Sequence, residues 1–181
     1  MRKNARGFTL VELLVVIAII AILAAVVVLI INPLELMRRS RDAARLTDLA
    51  NLQQAINVAA QEATGSGVGI LCFGQTGNPT PGTVMCQGNT NTDPSSTRRN
   101  ADGTGWVKVN LSSQQSVSVP TLPVDPINNS TYNYTYASDG QSWEIDAVLE
   151  SQQQINAGRM SNDGGNNPNV YEVGSNLLLL P

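Results

Sequence analysis

Glu12 is the residue whose position first demands a chemical account. It is the only acid in the otherwise apolar stretch 8–31. A carboxylate at that depth in hydrocarbon is expensive, roughly 2.5–3.5 kcal/mol on insertion scales, so it needs a partner. Cleavage after Gly7 would supply one: the free amine of Phe8. The residues ahead of that point form a short basic leader containing Arg2, Lys3 and Arg6.

Other chemistry is thinly supplied. The chain has no histidine, which removes the commonest general base and the commonest zinc ligand. Its serines fall in no Gly-x-Ser-x-Gly elbow, and no phosphate-binding glycine motif follows a strand. No catalytic residue and no cofactor are expected, and the chain does not read as an enzyme. Oxygen ligands for calcium exist at Asp125, Asp139, Asp146 and Asp163. However, no single run supplies a full set, and Pro94 stands where a calcium loop starting at Asn89 needs glycine. No metal is expected, and these acids read as solvated turn residues.

Cys72 and Cys86 are too far apart for a CxxC pair. If their domain lies outside the membrane, a disulfide is the default. It would close a loop of about 15 residues and stabilise by roughly 3 kcal/mol. The competing state is two free thiols, on a surface without oxidising machinery.

Two plain readings of the apolar stretch fall short. A secretory signal peptide has an apolar region of about 7–15 residues followed by a small-x-small cleavage site. Residues 8–31 are too many, and Asn32-Pro33-Leu34 is not such a site. A simple single-span anchor accounts for the length but leaves Glu12 unexplained.

The combination Gly7-Phe8-Thr9-Leu10-Val11-Glu12, a basic leader before it and an unbroken apolar run after it, resembles the type IV pilin and pseudopilin family. The resemblance covers about the first third of the chain. It implies cleavage between Gly7 and Phe8 by a prepilin peptidase, which also N-methylates Phe8. It implies a stay in the membrane, delivery through an inner-membrane assembly platform, and polymerisation into a homopolymeric filament with the apolar helices at its centre. Glu12 is then the assembly residue, paired with the Phe8 ammonium of a neighbouring subunit. The segment Pro123-Val124-Asp125-Pro126 and the hairpin after it are more loosely similar to the outer domain of major pseudopilins of type II secretion, which is the alternative role. A ligand-binding minor pilin and a membrane-anchored surface protein are roles of a different class that the same segment would serve.

Charge bears on partners. Removing the leader takes away three of the 11 basic residues and none of the 14 acids, which moves the net charge from −3 to −6. An acidic outer part argues against nucleic acid as a ligand. The cluster Arg38, Arg39, Arg41 and Arg45 is interspersed with Glu35, Asp42 and Asp48 and reads as a solvated, salt-bridged helix face.

The elements that must position these residues follow from periodicity. One long helix is expected from residue 8 to about 62, kinked near Pro33. Its second half carries Leu46, Leu49, Ile56, Ala59 and Ala60 on one face. Thr64-Gly65-Ser66-Gly67 ends it, and an irregular connection runs to about Gly105. Strand signals appear at 106–111, at Tyr132, Tyr134 and Tyr136, at Trp143, Ile145, Ala147 and Leu149, and at 170–173. The second and third of these flank Asp139-Gly140, a strong hairpin signal. Trp143, Ile145, Ala147 and Leu149 are expected to face the helix, with the tyrosines on either face and 177–180 as a terminal apolar tuck. The fold class is α+β: a long N-terminal helix packed on a small antiparallel sheet. The division is leader 1–7, membrane and filament-core helix 8–31, amphipathic helix 32–63, and extracytoplasmic globular domain 64–181.

Overall fold

The computed structural model describes residues 7–62, 69–114, 116 and 119–181. The leader residues 1–6 and the stretch 63–68, where the sequence places the end of the long helix, lie outside the described residues. The chain divides into two compact units, Met1–Met37 and Arg38–Pro181.

The first unit is dominated by helix α1, Leu10–Ile31. Thr9 caps it, and no glycine or proline interrupts it. It is long and apolar enough to cross a membrane, with a mean hydropathy of 3.2 over Leu10–Val28 and none of that window buried. Helix α2 spans Pro33–Glu62. The expected kinked single helix is instead two helices. Asn32 between them adopts the left-handed conformation, with φ 45°, which asparagine tolerates better than most residues. Its carbonyl accepts hydrogen bonds from the Glu35 and Leu36 amides at 3.1 and 3.2 Å. Pro33 therefore occupies a first helical position, where its missing N–H is no loss and its fixed φ is already helical.

In the second unit α2 buries Asp42, Arg45, Leu49, Leu52, Ala55, Ile56 and Ala59. Spacings of three and four keep them on one face. Ala60 is exposed and Leu46 only half-buried, so the apolar stripe runs through Leu52 and Ala55 rather than through Ala60.

The sheet has four antiparallel strands in the order β1-β2-β3-β4: Cys86–Asn89, Tyr134–Ser138, Trp143–Ala147 and Tyr171–Gly174. Tyr136 pairs with Ile145, and Ile145 pairs with Val173. The turn between β2 and β3 is held by Asp139, whose Oδ1 accepts the Gln141 and Ser142 amides at 2.9 and 2.6 Å. Gly140 there has φ 89°, as the hairpin signal required.

Leu49, Leu52, Ile56, Tyr134, Tyr136, Trp143, Ile145, Ala147 and Val173 form one apolar cluster. Both tyrosines thus face the helix. Each buried hydroxyl finds an acceptor, Tyr134 at Asp48 (3.0 Å) and Tyr136 at the Leu71 carbonyl (2.6 Å). Leu149 is buried beyond the end of β3, outside this cluster. On the opposite face Ala137 meets Leu179 and Leu180, so the terminal tuck forms, although Leu178 stays exposed.

Residues 106–111 do not form a strand. Trp106, Val107, Val109 and Leu111 are all buried, and two adjacent buried side chains cannot both follow a two-residue alternation. The segment satisfies its backbone through loops: the Lys108 carbonyl accepts from Phe73 N and the Leu111 amide donates to Ala101 O. The expected irregular connection instead contains β1. Gly88 in that strand lies against Trp106, whose carbonyl oxygen would be 2.0 Å from any added Cβ.

Truncating Trp143 to alanine should cost about 3–5 kcal/mol, because its side chain is almost wholly enclosed in the helix–sheet core. Thermal unfolding of the detergent-solubilised chain, followed through Trp106, the other of its two tryptophans, measures this. An unchanged midpoint would require the core to be redrawn.

Candidate functional site

The start of α1 is built by reciprocal hydrogen bonds. Thr9 N and Thr9 Oγ1 both donate to Glu12 Oε2 at 2.8 Å, and Glu12 N donates to Thr9 Oγ1 at 3.2 Å. This is a capping box: threonine and glutamate three residues apart satisfy amides that have no partner within the helix. Glu12 therefore has a local role beside the one its position in the apolar stretch suggests. The bonds hold the carboxylate in place near the positive end of the helix dipole, but they bring no full counter-charge.

Phe8 is 85% exposed, directly ahead of the cap. Gly7 has open space around the position of a Cβ. Among the described residues, neither packing nor a positive φ requires glycine there. Among the described residues, every side chain of Leu10–Val28 is exposed. Such a rod has to be covered by lipid or by other apolar helices.

Cys72 and Cys86 are joined, with Cα atoms 5.6 Å apart. The bond ties the loop after α2 to the first residue of β1, next to the Leu71 carbonyl that holds Tyr136.

The arginine cluster is not uniformly solvated. Arg45 is fully buried and bonds Asp125 (2.6 and 3.2 Å), Asp42 (2.8 Å) and Glu150 (2.8 Å). Arg41 also grips Glu150, at 2.6 and 2.8 Å. Burial alone would lower the Arg45 pKa, but its hydrogen bonds to Asp125 and Glu150 outweigh that and raise it. Glu150 is held below the usual carboxylate range, chiefly by Arg41 and then by Arg45 against its partial burial. Asp125, weighed as a calcium ligand, is thus committed to Arg45, and Asp139 to its turn.

Asp146 and Asp163 have different company. Glu144 and Asp146 on β3 and Glu172 on β4 bring three carboxylate oxygens within 4.8 Å of one another. Burial and the nearby charges of Glu144 and Glu172 push Asp146 up to about 8. Burial and the Glu144 carboxylate push Glu172 up to about 7. Sequence alternation puts Glu144 and Asp146 on a face away from the helix, where solvent is the default expectation. The C-terminal segment covers that face instead.

Residues 2–28 match the prokaryotic N-terminal methylation motif. No match to the chain was found among curated proteins or solved structures.

Proposed function

We propose that this chain, which carries the hallmark of type IV pilin-like prepilins and pseudopilins at residues 2–28, is a structural subunit of a type IV pilus-like filament. The observation that carries the reading is that motif fused to a helix whose apolar surface is left unburied among the described residues. A prepilin peptidase cuts between Gly7 and Phe8 and methylates the new amine. The subunit waits in the membrane as a single-span protein, and the assembly platform then extracts it into a filament. There α1 is covered by other copies of α1 instead of lipid, and the Arg38–Pro181 unit faces outward. Gly7 stands on the leader side of that cut. Nothing in this role calls for catalysis by the chain itself.

The first test reads the mature N-terminus. Mass spectrometry of membrane-associated or shed protein should find a chain that begins at Phe8 and carries one added methyl group. A mature chain that begins at Met1, or beyond Pro33, would end the filament-subunit reading.

A further inference from the structure

The Met1–Met37 unit stays apolar and open to its last residue: Leu34, Leu36 and Met37 are all exposed. Two exposed arginines follow at once, Arg38 and Arg39. Helix α2 carries all five residues. From Pro33 to Arg38 it rises by only about 7.5 Å, at about 1.5 Å per residue. The headgroup zone outside the hydrocarbon is about 5–7 Å deep on each side, and a long basic side chain near the end of a span snorkels toward it. Whatever direction α2 takes after Asn32, both guanidiniums therefore stay within reach of that zone.

The next two arginines are spent inside the fold. Arg45 is committed to Asp42, Asp125 and Glu150, and Arg41 to Glu150. Asp42 also lies within a turn of Arg38 and Arg39, but it is fully buried and accepts the amides of Glu150 and Ser151 as well. The other acid within a turn of both is Glu35, one carboxylate beside two cations. Basic residues ordinarily concentrate on the cytoplasmic side of a span. With the Arg38–Pro181 unit outside, two exposed arginines at the outer end of the span run against that bias and call for a counter-charge.

We propose that Arg38 and Arg39 bind the phosphates of anionic lipid headgroups while the chain stands in the membrane, which fixes the depth of α1 before assembly. The arginine fork matches phosphate oxygens and can hold two of them at once. Close to an anionic surface each arginine should add about fivefold in affinity. The exposed Leu36 and Met37 beside them suit the boundary between acyl chains and headgroups. Entry into a filament, where other helices replace lipid, then requires these contacts to be given up. The inference deepens the proposed membrane stage and rests on α1 as the span; it needs neither Glu12 nor the filament.

The test uses the full chain in mild detergent, titrated with phosphatidylglycerol or with phosphatidylcholine of the same acyl chains. Native mass spectrometry counts the bound lipid. The wild-type chain should hold phosphatidylglycerol at least about tenfold more tightly than phosphatidylcholine. Arg38→Gln/Arg39→Gln should erase most of that preference and leave phosphatidylcholine binding unchanged. Glu35→Gln removes the adjacent acid and should raise the preference by roughly two- to fivefold. Arg159→Gln is the control: Arg159 is exposed and shares a cleft with Gln53, about 22 Å farther along α2 than Arg38, so its loss should change nothing. An equal hold on the two lipids by the wild type overturns the proposal. So does a preference that survives the double substitution, or one that falls as much with Arg159→Gln. If the double variant does not fold, Glu35→Gln decides, and an unchanged preference there overturns the proposal. Displacement of the lipid by millimolar inorganic phosphate overturns it too, because the arginines would then hold any phosphate rather than a bilayer surface. A chain that takes up neither lipid overturns the span itself, and the proposal with it.

Discussion

Arg45→Ala is expected to destabilise the Arg38–Pro181 unit by about 3–5 kcal/mol, as breaking a buried ion pair on one side does. The guanidinium is fully buried and fills a position between three carboxylates. Asp42 is further committed, accepting the Ser151 amide at 2.8 Å and the Glu150 amide at 3.1 Å. Asp125 accepts the Ile127 and Asn128 amides at 2.8 and 3.1 Å. These acids cannot turn to solvent without undoing the loops they organise, so removing the cation strands them. Arg41 remains on Glu150 but is partly exposed, where an ion pair contributes little. Arg45→Lys should recover only part of the loss, because a point charge cannot reproduce the two-sided fork. Urea unfolding of the detergent-solubilised chain, followed by tryptophan emission, reads the effect, since Trp106 and Trp143 both lie in this unit. A loss below about 1 kcal/mol would mean that the carboxylates find other donors or protonate cheaply.

Arg45 also marks where sequence reading stops. Local signals are legible. Thr9 and Glu12 stand three apart at the head of an apolar run, Asp139-Gly140 separates two alternating runs, and the spacing of Leu49, Ile56 and Ala59 is helical. Each is decided by residues within a turn or two of one another. Arg45 reads as solvated because its sequence neighbours are acids, which is how a surface helix looks too. Its decisive partners, Asp125 and Glu150, are 80 and 105 residues away. Strand β1 escapes sequence reading for a similar reason. Cys86-Gln87-Gly88-Asn89 has no alternation and no β-branched residue, and it becomes a strand only because β2 offers it an edge. The cluster of Glu144, Asp146 and Glu172 depends on a C-terminal segment folding over a face that alternation assigns to water. The break at Asn32 is half-legible: Pro33 announces a disturbance, but whether proline kinks a helix or starts one turns on the φ of the residue before it.

Glu12→Ala should leave membrane insertion intact and abolish filament incorporation. Insertion improves when a carboxylate leaves the apolar stretch. On the proposed filament role assembly should fail, because the Phe8 ammonium of a neighbouring subunit would then enter the filament core unpaired. At about 3–5 kcal/mol for a buried charge that loses its partner, subunit addition weakens by about 10²–10³-fold or more. Alanine also removes the carboxylate half of the capping box, which holds the Thr9 amide and hydroxyl, while Thr9 Oγ1 can still cap the backbone amide of residue 12. Glu12→Gln separates the two effects. Glutamine can still reach the Thr9 amide but carries no charge. If pairing with the amine is what assembly needs, both variants insert, both are cleaved after Gly7, and neither accumulates in sheared filaments. If Glu12→Gln assembles at the wild-type level while Glu12→Ala does not, Glu12 serves its own helix, and the intersubunit pair has to be abandoned.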